Sequence, residues 1–201
     1  MYAKAPVVTT LGPLTGSAAM TDDPRFDRLL AEGLAASRDQ RTEAALDFFA
    51  QASALRPASG VPHFLIGSEH ASAGRVDEAE AAFANAVLLA PEFALARYQL
   101  GLLHFSSQRA ALALVTWQPL FELPDTDPFG HFVRGFAALA QDAFAEALQH
   151  LQRGLACEAG NPAVAEDIRK VVVAVEALAA RSEPAHDAPH VLLAGYSGGL
   201  H

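Results

Sequence analysis

Histidine is the residue type in this chain whose number and placement most suggest chemistry. The 201 residues include eight histidines, among them His63, His70 and His104. His63 and His70 lie two turns apart on one predicted helix, and His104 lies on a later one. Imidazoles that converge between packed helices could bind zinc or nickel. A flat ring with a polar tip also packs well between helices, so this placement has a structural explanation too. We therefore predict that no metal is bound.

The other reactive residue types form no catalytic pattern. The sequence has no Gly-rich phosphate loop, no GxSxG motif and no HExxH motif. Its single cysteine, Cys157, excludes an internal disulfide and a Cys-based zinc site, and we expect a small buried thiol. Asp125 and Asp127 fall at a junction between predicted helices, where carboxylates serve as caps. We predict that the protein is not an enzyme and uses no cofactor.

Composition narrows the classes of partner. With 51% hydrophobic and 18% charged residues the chain is globular, and its formal net charge is −9. Binding to nucleic acid or to an anionic membrane needs a basic face, which argues against both partners. No apolar run approaches the roughly 18 residues of a membrane helix. We expect no membrane insertion.

The first residues, "MYAKAPVVTTLGPLTGSAAM", contain one lysine and are interrupted by proline and glycine. They lack the continuous apolar core of a signal peptide. We therefore predict a cytoplasmic protein with a flexible N-terminal extension over residues 1–23. Met20 is an alternative start, which would leave residues 1–19 outside the native chain.

A period of about 34 residues organises most of the chain, and internal repetition of this kind decides architecture. Three columns share the period. They are Gly33, Gly67, Gly101 and Gly135; Ala45, Ala79, Ala113 and Ala147; and Phe49, Phe83, Trp117 and Leu151. Small residues allow two helices to approach closely, and a bulky apolar residue fills the space beside them. Pro57 and Pro91 share the period and separate successive helix pairs.

These columns resemble the tetratricopeptide repeat (TPR) family, whose unit is two antiparallel helices in about 34 residues. The resemblance covers about residues 26–159 and weakens in the fourth unit. It implies an all-α fold, a right-handed α-solenoid of four helix-turn-helix pairs followed by a capping helix and an extended tail. The expected segments are repeats over 26–59, 60–93, 94–127 and 128–161, a capping helix over 162–181, and a linker with an apolar tail over 182–201.

Two departures from the repeat pattern lead to structural predictions. Pro119 falls inside the second helix of repeat three, where it should kink or shorten that helix. The segment after Pro162 predicts one further helix, with Val171, Val175 and Leu178 among the residues that cover the last repeat. Such a helix keeps the end of a repeat array soluble.

In this family the first helix of each pair lines a concave groove, in which ligands bind. The second, fifth, ninth and twelfth positions of each unit should face that groove as one helical stripe. In this chain those positions are apolar and aromatic. The predicted groove consists of Leu30, Leu34, Phe64, Tyr98, Leu102, Phe105, Phe129, Phe132, Phe136 and Leu139. The alternative is that these side chains only pack between neighbouring helices.

The residue types in the predicted groove indicate the kind of ligand. Family members that grip acidic C-termini place Lys, Arg and Asn there, and this chain has almost none. The histidines at 70 and 104 occupy a family position that often holds tyrosine, which favours packing for them. A sizeable apolar patch on a soluble protein marks a binding site. We predict a non-catalytic protein-interaction scaffold that binds an apolar peptide segment of a partner, as a chaperone or assembly factor similar to those of bacterial secretion systems.

The C-terminal run "VLLAGY" suggests a second function of a different class. It follows the polar linker "SEPAHDAP", and Val191, Leu192, Leu193 and Tyr196 would be an aggregation liability if left in water. Residues 190–196 could dock into a groove of the same or a neighbouring subunit, giving a self-assembling structural protein and allowing a homodimer. The tail could also cover the terminal helix or be a motif for another protein.

Overall fold

The computed structural model describes residues 23–158 and 160–182. This part of the chain forms nine α-helices and one 3₁₀ helix. The helices are α1 (Pro24–Arg38), α2 (Thr42–Leu55), α3 (Gly60–Ser72), α4 (Val76–Leu89), α5 (Ala94–Ser106), α6 (Ala110–Trp117), α7 (Pro128–Leu139), α8 (Phe144–Leu155) and α9 (Pro162–Ser182), with the 3₁₀ helix at Gln118–Glu122 between α6 and α7. None of them is long and apolar enough to cross a bilayer.

The helices pair in sequence order. α1 packs on α2, α3 on α4, α5 on α6 and α7 on α8, and each second helix also contacts the next first helix or the 3₁₀ helix that leads to it. This is the all-α solenoid that the repeat period predicts. The predicted extension over 1–23, apart from Asp23, and the linker and tail beyond Ser182 lie outside the described residues.

Local sequence signals explain where the first helices start. The Asp23 carboxylate accepts a hydrogen bond from the backbone N–H of Arg25 (2.9 Å), and Pro24 occupies the first helical turn. Asp127 does the same for Phe129 (2.9 Å) at the start of α7. Such caps satisfy backbone donors that have no partner within the helix. The capping role expected of Asp127 is therefore confirmed.

The turn inside each helix pair recurs with the period of the repeat. Gln40, Gly74, Gln108 and Asp142 each have a positive φ, between 56° and 74°. In all four turns the residue after this position donates its N–H to the carbonyl five residues earlier, as Arg75 does to His70 (2.9 Å). This is a left-handed helix C-terminal motif, which glycine adopts most easily. The sequence places glycine there only at Gly74.

The glycine column marks the closest helix contacts. A Cβ on Gly67 would lie 2.6 Å from the Phe83 ring, and one on Gly135 would lie 2.7 Å from Leu151. Gly101 lies directly against the indole of Trp117, whose Nε1 donates a hydrogen bond to the Tyr98 carbonyl (3.0 Å). The bulky column thus packs on the glycine column inside each pair.

Pro119 shortens its helix as expected. α6 ends at Trp117 after eight residues, and the chain continues as the 3₁₀ helix. Proline cannot donate an N–H to the α-helical ladder and clashes with the preceding turn. Leu120 on the 3₁₀ helix is nevertheless buried, so the segment still contributes to the core.

The terminal helix α9 covers the last repeat with a stripe that begins earlier than the sequence indicated. Val164 and Ile168 are buried together with Val175, and Val171 is half-buried. Leu178, expected to belong to this stripe, is 47% exposed. The buried set follows the i, i+4, i+7, i+11 spacing from Val164. Leu178 continues this spacing at i+14, in the last two turns of α9, so the burial of the stripe decreases toward the end of the helix.

Candidate functional site

The structure divides the ten predicted groove residues into two groups. Four of them are buried in the core and offer no surface to a ligand: Phe64, Tyr98, Phe132 and Phe136, which are at most 4% exposed. The groove prediction is corrected at these positions. Three of the four precede an interface glycine by three residues, and residues three apart share one helix face. They therefore follow the glycines into the packed side of the helix.

The four buried rings belong to the aromatic core. The Tyr98 ring centroid lies 5.2 Å from that of Phe129 and 6.2 Å from that of Phe132. The Phe136 ring is 5.6 Å from Trp117 and 5.3 Å from Phe105. Phe136 follows Gly135 directly, and it is buried because the preceding repeat supplies Trp117 and Phe105 to cover it.

The other six predicted residues remain partly accessible. They are half-buried and pack on the core clusters with their inner atoms. We call them the first-helix face: Leu30, Leu34, Leu102, Phe105, Phe129 and Leu139. By repeat position they follow one stripe along α1, α5 and α7. The stripe is continuous with the core, because Leu95 packs against both hydrophobic clusters.

Two arginines on the first helices are engaged within the protein, whereas Arg38, four residues after Leu34 on α1, is exposed. Arg97 donates a hydrogen bond to the Pro91 carbonyl (3.1 Å), and Arg134 donates one to the Phe121 carbonyl (2.6 Å). Each guanidinium therefore ties an inter-repeat loop to a first helix. The first-helix face can therefore offer a ligand mainly apolar contact.

α9 contributes a carboxylate, Asp167, close to the aromatic core. The sequence pattern did not predict a site residue on this helix. Burial raises the pKa of the Tyr98 phenol well above its usual value, and the Asp167 charge raises it further. Asp167 itself is partly buried, which raises its pKa, while a hydrogen bond from Lys170 (3.1 Å) opposes that shift. Tyr98 therefore stays neutral, and its ring belongs to the same hydrophobic cluster as Val164 and Ile168 of α9.

The histidines are held by packing and by neighbouring polar groups. His104 is 4% exposed, and its Nδ1 lies 3.9 Å from the Glu80 carboxylate. His63 Nε2 lies 3.1 Å from the Ser53 hydroxyl. Within residues 23–158 and 160–182, no group of three or more His, Cys, Asp or Glu residues could hold a metal ion. The spacing of the histidines therefore reflects their positions between repeats.

An open cleft of about 570 Å³ lies beside the junction between the 3₁₀ helix and α7. It is lined by Asp125, Thr126, His131, Arg153, Ala156, Cys157 and Glu158. His131 Nε2 lies 3.0 Å from the Asp125 carbonyl, and the Cys157 thiol lies 3.7 Å from the same oxygen and 3.5 Å from the Arg153 carbonyl. Cys157 is half-buried. Because both groups are directed at a backbone carbonyl, they fasten the junction loop and do not form a nucleophile–base pair.

Sequence comparison identifies no family for this chain: no family model matches it, and no curated protein does. The fold is similar to that of known structures. MamA aligns with a TM-score of 0.54 and 19% identity, over 74% of this chain and 83% of MamA. MamA from residue 41 to the end, from Desulfovibrio magneticus RS-1, gives 0.56 and 17% identity, over 85% and 100% of the two chains.

A chain of the APC/C hetero-tetramer Cut9-Hcn1 is also similar, with a TM-score of 0.60 and 21% identity. The alignment covers 80% of this chain but 33% of that one, so this chain spans about a third of its length. These neighbours are TPR proteins. At such identities the likeness establishes the fold and leaves ligand and function to be argued from this chain's own residues.

Proposed function

We propose that this chain, which has the tetratricopeptide-repeat fold, is a non-catalytic scaffold that binds an apolar peptide segment of a partner protein in the cytoplasm. The observation that carries the proposal is the first-helix face. Its six side chains are apolar and partly accessible, and they pack against the two hydrophobic clusters of the core. An accessible apolar surface of this kind supports a protein-binding role.

The anchoring of a ligand would come from burial. Each Leu- or Phe-sized side chain that the face covers completely would contribute on the order of 1.5–3 kcal/mol. The buried ring of Phe132 contacts the half-buried ring of Phe129, and the buried ring of Phe136 contacts that of Phe105. These contacts restrain the two half-buried rings. A rigid apolar face loses little conformational freedom on binding, which favours affinity.

A self-assembling protein is the second candidate, in which residues 190–196 occupy the face of the same or a neighbouring subunit. α9 ends at Ser182, and its Asp167 lies close enough to Tyr98 to influence the pKa of that phenol. Residue 190 is eight residues beyond Ser182, a span of at most about 26–29 Å in extended form. Ser182 lies fifteen residues beyond Asp167, about 22 Å along α9, and the extended reach exceeds that length, which supports a return of the tail toward α5. Docking between two copies would give a homodimer.

Site-specific photocrosslinking in the native host tests the proposal. Phe129 or Leu102 is replaced by p-benzoylphenylalanine, and the crosslinked peptides are identified by mass spectrometry. Val173, which is 65% exposed on α9, takes the same residue as a matched control. We expect the two face positions to crosslink to an apolar segment of another protein.

The crosslinked species separate the candidates. Crosslinks to residues 190–196 would favour the self-assembly function. Products at Phe129 and Leu102 that match those at Val173 would contradict both functions. The chaperone form of the proposal requires in addition that the captured partner aggregates when it is expressed without this chain, and a partner that is soluble alone would exclude that form.

A further inference from the structure

Two second helices, which carry none of the first-helix face, have large exposed apolar side chains. Leu88 on α4 is 75% exposed, and Val115 and Leu112 on α6 are 71% and 42% exposed. Ala81 and Ala84 on α4 are also exposed. We call these five residues the outer patch. α6 and the segment after it carry no charged residue from Ala110 to Phe121.

The members of the outer patch form two parallel stripes. Ala81, Ala84 and Leu88 follow the i, i+3, i+7 spacing of one helix face, and Leu112 and Val115 are three residues apart. This stripe on α4 is turned away from the buried stripe that contains Phe83. Each helix therefore has an apolar face toward the core and a second apolar face toward solvent.

An ion pair links the two helices. Arg109, just before α6, donates two hydrogen bonds (3.2 and 2.5 Å) to the carboxylate of Glu80 on α4. Leu88 lies in the last turn of α4, and Val115 lies near the end of α6. The ion pair therefore joins the two helices that carry the exposed apolar side chains.

Equivalent positions in the outer repeats show that the fold does not require apolar residues there. Asp47 is the counterpart of Ala81 one repeat earlier, and Gln149 is the counterpart of Val115 one repeat later; both are exposed. Glu146 is the exposed counterpart of Leu112. Leu112 and Leu88 have charged counterparts inside repeats two and three as well, namely Glu78 and Glu122. The fold therefore tolerates polar residues at these positions, and the large apolar side chains are not required for folding.

The rim of the outer patch is mainly acidic. Arg75 and Arg109 are paired with carboxylates, and Arg153 on α8 is an exposed cation on this side. The exposed carboxylates on or directly after the two helices and their following segment, none of which forms an ion pair within the described residues, are Asp77, Glu78, Glu92 and Glu122. A second copy or an anionic bilayer would bring like charges together here. A basic partner would meet complementary charge.

We propose that the outer patch is a second binding surface, which takes an amphipathic helix of a partner protein whose apolar stripe is flanked by Lys or Arg. A partner helix can pack apolar side chains at i, i+3 or i+4, and i+7 against such exposed apolar stripes. Leu88 and Val115 supply the apolar contacts, and the acidic rim pairs with the flanking cations. The surface is separate from the first-helix face, so a partner here and an apolar peptide there can bind together.

Fluorescence anisotropy with the full 201-residue chain tests this inference. The probe is a labelled 18-residue amphipathic peptide of Leu and Lys, compared with the peptide in which Glu replaces every Lys. We expect the Lys peptide to bind and the Glu peptide not to bind. We further expect Val115→Glu and Leu88→Glu each to weaken binding of the Lys peptide at least tenfold.

The charge of these variants makes the test stringent. An added carboxylate would by itself strengthen binding of a cationic peptide, so a weakening isolates the lost apolar contact. Gln149→Glu adds the same charge at the equivalent position of repeat four and should change the affinity less than twofold. Val115→Ser, which adds no charge, should also weaken binding and serves if the Glu variants lose helicity.

Three results would overturn the inference. One is a Lys peptide that binds Val115→Glu and Val115→Ser as tightly as wild type. Another is a wild-type dimer in sedimentation that Val115→Glu dissociates, which would make the patch an interface between copies. The third is binding of wild-type protein, lost in Val115→Glu, to vesicles containing phosphatidylserine, which would make the ligand a membrane.

Discussion

The contact between Gly101 and Trp117 shows how a single residue type sets the spacing of two helices. The indole fills the space that a Cβ would need, and its N–H donates a hydrogen bond to the Tyr98 carbonyl. Trp117 is fully buried, so the ring has no room to move away. In repeats one, two and four a Phe or Leu occupies the equivalent position, and the glycine is retained in each.

We predict that Gly101→Ala destabilises the protein by about 1–3 kcal/mol, the usual cost of overpacking a core. Urea unfolding followed by circular dichroism measures the change. Gly160→Ala is the control, because the nearest atom to its added Cβ is 3.5 Å away. Equal stability of the Gly101→Ala variant and wild type would show that the close approach is not needed.

Burial of histidines predicts a dependence of stability on pH. Burial lowers the pKa of His63, His70, His104 and His150 in the folded protein. The unfolded chain takes up protons near pH 6.5 and the folded chain only at lower pH, so acid favours unfolding. Stability should be greatest above pH 6.5 and fall as the pH drops below it.

Urea midpoints between pH 7.5 and 5 would reveal this decline. His70→Phe keeps a flat ring but removes the titration, so its midpoint should fall less steeply with acid than that of wild type. His70 also has a buried Nδ1 without a hydrogen-bond partner in the described structure. A variant with the full wild-type slope would exclude His70 from the effect.

At the scale of the element, the turns inside the helix pairs are the least optimised feature. All four turns use a left-handed residue, but only one of these residues is glycine. A non-glycine residue pays roughly 1–2 kcal/mol in that conformation, and glycine loses about 0.5–1 kcal/mol more entropy on folding. The balance favours glycine at Gln40, Gln108 and Asp142.

We predict that Gln108→Gly stabilises the protein by about 0.5–1 kcal/mol. Gln51→Gly makes the same substitution at an exposed position within α2, where it should destabilise by about 1 kcal/mol. Thermal unfolding of the two variants should therefore shift in opposite directions. A lower melting temperature for Gln108→Gly would mean that its side chain supports the turn.

At the scale of the whole molecule, polar contacts connect one repeat to the next. The Ser37 hydroxyl on α1 donates to the buried Glu69 carboxylate on α3, and Arg75 pairs with Glu43 on α2 (3.2 Å). Glu80 and Arg109 repeat the latter arrangement one unit later. These contacts fix the register between neighbouring pairs, while apolar burial supplies most of the stability.

The terminal helix should be essential to this array. Deleting residues 162–201 would uncover the surface under Val164, Ile168 and Val175, and we expect a loss of about 3 kcal/mol or more. Deleting only residues 184–201 is the matched control, and the loss of stability should be smaller because α9 is retained. Urea unfolding and binding of a hydrophobic dye measure both effects. Equal stability of the two truncated proteins would show that α9 does not cap the array.

The functional surfaces were less predictable than the fold, and the residues explain why. Phe64, Tyr98, Phe132 and Phe136 have the residue types of a ligand groove, but their neighbours across the helix interface bury them. A shift of one position rotates a helix by about 100°, so residue type cannot separate an exposed ring from a core ring. The outer patch could not be predicted for a related reason, because the sequence does not show which apolar residues remain exposed.

The sequence by itself determined the repeat, the glycine–aromatic contacts, the helix caps and the break at Pro119, because these depend on local spacing and on the geometry of one helix pair. The tertiary structure decided which apolar side chains are covered, where α9 packs, and which carboxylates meet Arg75 and Arg109. Those properties depend on contacts between repeats, where residues distant in the chain compete for the same surface. Burial depends on the assembled array, whereas a sequence pattern shows only which apolar residues each helix has.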